Sequence, residues 1–325
     1  MAGPHAYSAF GVAVRSNRPL SGLAPLRGGA TRGGIAVDFV EPPRDAHPAP
    51  GGAPVSGTPV ERVWALPDGG RLLRYVHPVD GRAWSMRVSA ERIEVARDPS
   101  FDPAQLAPIV ETAGLATALQ LGGGLLLHAA AIAVDDGAVL VAGSSGAGKS
   151  TTAAAFVARS HRLLSDDLAA IGPDLVVHPG PARLRVTPGG ARAVGWDPAR
   201  LPRLFDAEFI EDKRAVALSA AEGTYCDTGR PLAAIYVLAR RPGGGAPAVA
   251  ALPAREALPL LGASVYRVLS LGRAQHAALF PALARLASAV AVRRVVAGDD
   301  VSRVGDVAAA IAADVSSLRR PAPAR

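Results

Sequence analysis

Gly143-Ser144-Ser145-Gly146-Ala147-Gly148-Lys149-Ser150 spells G-x-x-x-x-G-K-[ST] in full. Small residues at these spacings let successive backbone N–H groups turn inward around phosphate oxygens. An apolar run, Ala138 to Ala142, precedes the octet, and the alanine-rich Thr151 to Arg159 follows it. That order reads as strand, loop, helix, and the helix adds the positive end of its dipole to the loop. The spacing predicts a nucleoside triphosphate held by Gly143, Ser144, Ser145, Gly146, Ala147, Gly148, Lys149, Ser150 and Thr151. Lys149 would reach the β- and γ-phosphates, and the Ser150 hydroxyl would ligate Mg2+. The competing reading is a chance turn in a chain with 35 glycines. It does not account for the lysine: Lys149 and Lys213 are the only two in the chain, and elsewhere arginine carries the basic charge.

Upstream of the octet, Leu125 to Val134 and Ala138 to Ala142 are apolar runs joined by Asp135-Asp136-Gly137. Asp-Gly in a short connection signals a hairpin, so the loop's strand is expected to pair with its predecessor. Downstream, His161 to Ser165 reads as a short strand ending at Asp166-Asp167. A right-handed β-α-β crossover would bring that strand's end next to the loop. Two acids there can divide labour. In the preferred order Asp166 holds the metal and Asp167 is the general base on an incoming hydroxyl, and the roles can also be exchanged. A lone acid would suffice for hydrolysis, so the doubled pair favours transfer.

Two further residues are candidates. His128 lies in the apolar run before the loop. It is either a satisfied core histidine or a ring facing the phosphates. Lys213 is either a surface lysine in Glu211-Asp212-Lys213-Arg214 or a second cation that neutralises charge in the transition state. Arg183, Arg185 and Arg214 compete for that role.

The 325 residues are 49% hydrophobic and only 5% aromatic, so the core is expected to be aliphatic. Residues 1–100 read as a β-rich module with strands at Gly11 to Arg15, Ile35 to Val40, Val63 to Leu66, Arg71 to His77 and Ala83 to Val88, antiparallel by their turn signals. Residues 41–59, dense in proline and glycine, read as a flexible loop. Residues 101–318 read as the catalytic domain and 319–325 as a tail. Helices are expected at Ala104 to Leu121, Ala254 to Leu261, Ala274 to Val290 and Val301 to Leu318. The net charge of +7 comes from scattered arginines without interleaved aromatics, so no nucleic acid is expected. Leu121 to Val134, the longest apolar stretch, is too short to span a bilayer. Cys226 is the only cysteine, and the N-terminus lacks a signal-peptide pattern. Both fit the cytoplasm.

Leu127-His128-Ala129, the hairpin, GSSGAGKS and HRLLSDD together resemble the catalytic domain of HPr kinase/phosphorylase, and the wider group that shares its fold with phosphoenolpyruvate carboxykinase. The overall layout is similar to stand-alone HPr-kinase-related proteins, some of which act in peptide-modification pathways such as those of lasso peptides. The resemblance runs from about Leu125 to Ile171. It departs at Thr151, where the family commonly has glutamate, and the C-terminal signature of the phosphorylase reaction is missing. It implies an α/β fold, a phosphate-loop catalytic domain beside a small β-rich module. It implies ATP and Mg2+ as cofactors, with His128, Lys149, Asp166 and Asp167 at the site; Lys213 is a candidate on its own grounds. The acceptor it implies is a serine hydroxyl of a peptide or protein. A nucleotide-dependent regulatory protein and a small-molecule kinase are the alternatives, and a homo-oligomer is left open.

Overall fold

The computed structural model describes residues 5–26, 33–41, 47–58, 60–204, 212–241, 243 and 245–319. Of the segments expected to be loop and tail, residues 42–46, 59 and 320–325 lie outside the described residues. The chain forms two compact units, residues 1–126 with 265–280 and residues 127–264 with 281–325.

The first unit carries β1 (His5–Ala9), β2 (Val12–Ser16), β3 (Ala24–Pro25), β4 (Gly34–Phe39), β5 (Ser56–Gly57), β6 (Glu61–Ala65), β7 (Arg71–Val76), β8 (Ala83–Val88) and β9 (Arg92–Arg97). They form one sheet in the order β3-β1-β2-β4-β9-β8-β7-β6-β5. The β6 to β9 meander is antiparallel, as the turn residues between its strands require. The sheet is not antiparallel throughout: β4 runs parallel to both β2 and β9. Parallel neighbours need long connections, and the segments leading into and out of β4 are long, with no tight-turn signal to reveal the pairing. Alternate residues Ile35, Val37 and Phe39 are buried, as are Ile93 and Val95.

Helix α1 (Pro103–Ile109), a π turn (Val110–Gly114) and α2 (Leu115–Leu121) follow as one run, starting at an Asp102–Gln105 capping box. A Cβ added to Gly114 would lie 3.2 Å from Met86 Sδ and 3.3 Å from Ile93, so the run rests directly on the sheet. Fully buried Glu111 accepts the Gly22 N–H at 2.8 Å. The returning segment is tied in by Gln120 Nε2 to the Tyr266 carbonyl (2.5 Å), Arg71 Nε to the Ser270 carbonyl (2.6 Å) and an Arg267–Glu61 ion pair. The sequence boundary at residue 100 follows composition. These contacts instead group 101–126 and 265–280 with the sheet.

The second unit follows β10 (Leu125–Leu127) with β11 (Ala129–Val134), β12 (Gly137–Ala142), α3 (Lys149–Ala158), β13 (Arg162–Ser165), β14 (Ala169–Ile171), β15 (Val176–His178), β16 (Arg183–Val186), α4 (Pro188–Ala193), β17 (Arg214–Ala217), β18 (Arg230–Arg241), β19 (Ala248–Ala251), α5 (Ala254–Ala263), the part of α6 (Arg273–Ala289) from residue 281 on, β20 (Ala291–Gly298) and α7 (Val304–Arg319). Its sheet runs β14-β15-β18-β12-β11-β13, with β20 parallel to β18 and β19 on β20. Every residue of β11 and β12 is buried, which explains why these runs are apolar without alternation. Their hairpin closes at Val134↔Gly137, with Asp135 in the left-handed region at φ 51.

β13 does not lie next to β12, because β11 sits between them, antiparallel to both. The crossover therefore skips one strand. β12 and β13 still point the same way, so the end of β12, the end of β13 and the start of β11 share one edge. Among the described residues no helix is long and apolar enough to cross a membrane.

Candidate active site

The loop leaves β12 at that edge. Gly143, Gly146 and Gly148 have φ of 148, 76 and 97, in the region open to glycine. At Gly143 space is short as well: an added Cβ would lie 3.1 Å from both the Leu238 carbonyl oxygen and the Ala147 Cβ. Gly143→Ala is expected to destabilise the folded protein by about 1–3 kcal/mol, measurable as a lowered midpoint of denaturant unfolding. An unchanged midpoint would show that the loop tolerates a side chain there.

Lys149 opens α3, and its buried ammonium turns back over the loop. Its Nζ donates to the carbonyls of Gly143 at 3.0 Å and Ser144 at 3.1 Å. Burial pulls its pKa down, and Asp167 and Asp166 oppose that pull. Ser144, Ser145 and Gly146 are exposed at the tip of the loop, while Ala147 is buried. Thr151 faces away toward α4, its hydroxyl 2.9 Å from where a Cβ on Gly190 would lie.

Ser150 Oγ donates to Asp166 Oδ1 at 3.0 Å. Asp166 Oδ2 accepts the Arg185 backbone N–H at 2.9 Å, and the Arg185 Nε stands 3.8 Å away. Burial pushes the Asp166 carboxyl up, against the pull of Arg185. Asp167 has a left-handed backbone, at φ 71. Its carboxylate pairs with Arg185 Nη2. Burial works to raise the Asp167 pKa, but Arg185, His128 and Lys213 together hold it below the ordinary aspartate value.

His128 stands between β10 and β11, where the sequence reads one unbroken apolar run. Its N–H donates to the Ser264 carbonyl at 2.6 Å. The ring Nδ1 lies 2.9 Å from the Asp167 carbonyl oxygen and 3.3 Å from Asp167 Oδ1. Both oxygens are acceptors, so Nδ1 carries the proton. Burial lowers the His128 pKa, leaving the ring neutral near pH 7. The ring thus braces the left-handed turn of Asp167.

Arg185 and Lys213 come from the ribbon of β16 and β17, which sequence reasoning did not find. Arg185 pairs with Ala215 in antiparallel register, and Lys213 directly precedes β17. Lys213 acts electrostatically on both Lys149 and Asp167. The sequence names Arg185 only as a competitor for the role of Lys213. Its contact with both aspartates depends on a pairing remote in sequence. Arg214 instead binds the Asp212 carboxylate at 3.0 Å.

The structure therefore gathers Lys149, Ser150, Asp166, Asp167, His128, Arg185 and Lys213 at one sheet edge. Three cations face two carboxylates beside a glycine loop, which suits a polyanion. No protein-family model matches the chain, and no curated protein matches it. Among solved structures the HPr(Ser) kinase/phosphatase from Coxiella burnetii is similar, with a TM-score of 0.28 and 12% identity, covering 60% of this chain and 95% of that chain. At that score the likeness is distant and says nothing of activity.

Proposed function

We propose that this protein is an ATP- and Mg2+-dependent kinase that transfers a phosphoryl group to a serine hydroxyl of a peptide or protein. The observation that carries the reading is the meeting of a glycine loop and its lysine with two aspartates in different environments. Asp166 is buried against Ser150, and Asp167 pairs with Arg185 and lies beside His128.

The donor chemistry fits the groups invoked. Ser150 and Asp166, whose oxygens meet in one hydrogen bond, would be the protein ligands of Mg2+. Among the described residues no cluster of three or more His, Cys, Asp or Glu could hold a metal. Mg2+ is commonly held by one or two protein oxygens together with substrate phosphates and water. When bound, ATP would supply the phosphoryl group and Mg2+ would neutralise part of its charge. Within the chain, the loop N–H groups and Lys149 orient the phosphates. Asp167 takes the serine proton as the new oxygen–phosphorus bond forms and the bond to the bridging oxygen of ADP breaks. Lys213 and Arg185 stabilise the charge that spreads over the transferring group.

The test incubates γ-labelled ATP and Mg2+ with the protein and a panel of serine peptides and proteins, with Lys149→Ala as control. Label on a serine, lost in the control, is expected. ATP binding with no labelled acceptor would instead favour a regulatory protein or a small-molecule kinase.

A further inference from the structure

At the outer edge of the first unit's sheet lies a cavity that the phosphate chemistry does not use. β5 pairs with β6 on one side, and among the described residues no strand meets its other side. Beside it, Val265, Val268 and Leu269 of the returning segment and the Glu61–Arg267 ion pair border a space of about 400 Å³, with β5 itself as one wall. That volume falls in the range of sites that hold a ligand. No residue of the candidate active site lines it.

We infer that this edge docks an extended peptide segment, which adds to β5 as a further strand and places one uncharged aliphatic side chain in the cavity; that the segment belongs to the phosphoryl acceptor rests on the proposed kinase reading. Three observations support it. First, an unpaired strand edge offers backbone N–H and C=O groups in a row. In strand addition that pairing supplies affinity, and a neighbouring pocket reads a side chain. Ser56 and Gly57 put neither charge nor bulk in the way. Second, open apolar surface gathers here. Leu269 is 73% exposed and Val55, which leads into β5, is 42% exposed, whereas Val265 is buried. Third, the charges at the cavity select a neutral partner. Glu61 Oε1 takes Arg267 Nη2, and Arg267 Nε donates to the Tyr266 hydroxyl at 2.9 Å. The two charges cancel, which disfavours a phosphate, a carboxylate or an ammonium in the cavity. Among the described residues nothing bonds to Glu61 Oε2 or Arg267 Nη1, and neither is a buried orphan. The pair thus keeps one acceptor and one donor open, which match the N–H and C=O of a peptide unit.

The test screens the full chain, without nucleotide, against a positional library of short peptides blocked at both ends. One position should select aliphatic residues, and N-methylation of alternate backbone amides in the best peptide should weaken it about tenfold. Leu269→Asp should weaken binding of that peptide by about tenfold or more, with an unchanged thermal midpoint to show that it is folded. Val79→Asp, at a residue 74% exposed that does not line the cavity, should bind as the parent does. No selection above background, or undiminished binding by Leu269→Asp, overturns the docking site. Self-association of the parent that Leu269→Asp abolishes, read by sedimentation, gives the edge to a second copy and overturns it too. With γ-labelled ATP, joining the best peptide to serine acceptors through linkers of several lengths should lower KM about tenfold at unchanged kcat, and Leu269→Asp should remove that gain. Label transfer indifferent to the joined peptide overturns the docking of the acceptor while the kinase reading stands. Peptide binding with no label on any acceptor overturns the kinase reading while the docking edge stands.

Discussion

Asp167→Asn is expected to keep Mg2+-ATP bound and to lower phosphoryl transfer by roughly 10²–10⁴-fold. The substitution is mild in every respect but one. Asparagine tolerates the left-handed backbone that Asp167 adopts at φ 71. The His128 brace is made to the backbone carbonyl, which the substitution leaves in place. The Ser150–Asp166 pair is untouched, Arg185 keeps Asp166 as a partner, and Lys149 keeps its carbonyl partners and Asp166 as a nearby carboxylate. What the amide cannot do is accept a proton. Arg185, His128 and Lys213 hold the Asp167 carboxyl below its ordinary range, which makes it a weak base. Phosphoryl transfer through a loose transition state demands little of the base until the new bond is nearly made. The measurement pairs single-turnover transfer with ATP affinity. Transfer within a few-fold of the parent would remove Asp167 from the base role, and loss of ATP binding would recast it as a ligand.

What the sequence shows of this molecule is what lies close together along the chain. The octet fixes eight contiguous residues, and Asp135-Asp136-Gly137 fixes the hairpin that feeds it. Asp166-Asp167 is legible because it ends a short strand. What stays hidden depends on pairing at a distance. That β11 separates β12 from β13, and that β4 runs parallel to both of its neighbours, leaves no trace in composition. β20 escapes because Arg293 and Arg294 interrupt its apolar pattern; it is half covered, with only Val292 and Val295 buried. Arg185 is one arginine among many until β16 meets β17 across a long gap in sequence. The glycine loop and the paired acids are therefore readable, while the cation that joins the acids and the strand beyond β18 are not.

Asp166→Asn should separate metal chemistry from stability. The variant is expected to lose the tightening of ATP binding by Mg2+ and to lower transfer by roughly 10²–10³-fold, while the nucleotide-free protein melts no lower than the parent. The hydrogen bonds can be kept. A rotated amide accepts the Arg185 N–H with its oxygen, and its NH2 donates to Ser150 Oγ, since a hydroxyl both donates and accepts. The charge is what disappears, and Asp166 is only 4% exposed. Burial pushes its carboxyl up, so the folded protein favours the neutral form more than water does. The sign follows: below the unfolded-state pKa of aspartate, about 4, the carboxyl is neutral in both states and the burial cost is absent. It builds up as the pH rises from the unfolded value toward the higher folded value and is complete above it. The advantage of asparagine should therefore be nil in acid and emerge toward neutrality, as the cost of a buried charge predicts. Thermal unfolding across this range, with and without Mg2+-ATP, reads both effects. The parent should gain stability from Mg2+-ATP by mass action, and the variant should gain no more than from ATP alone. A nucleotide-free variant that melts well below the parent would make Asp166 a structural anchor, and tightening by Mg2+ that survives in the variant would place the ion elsewhere.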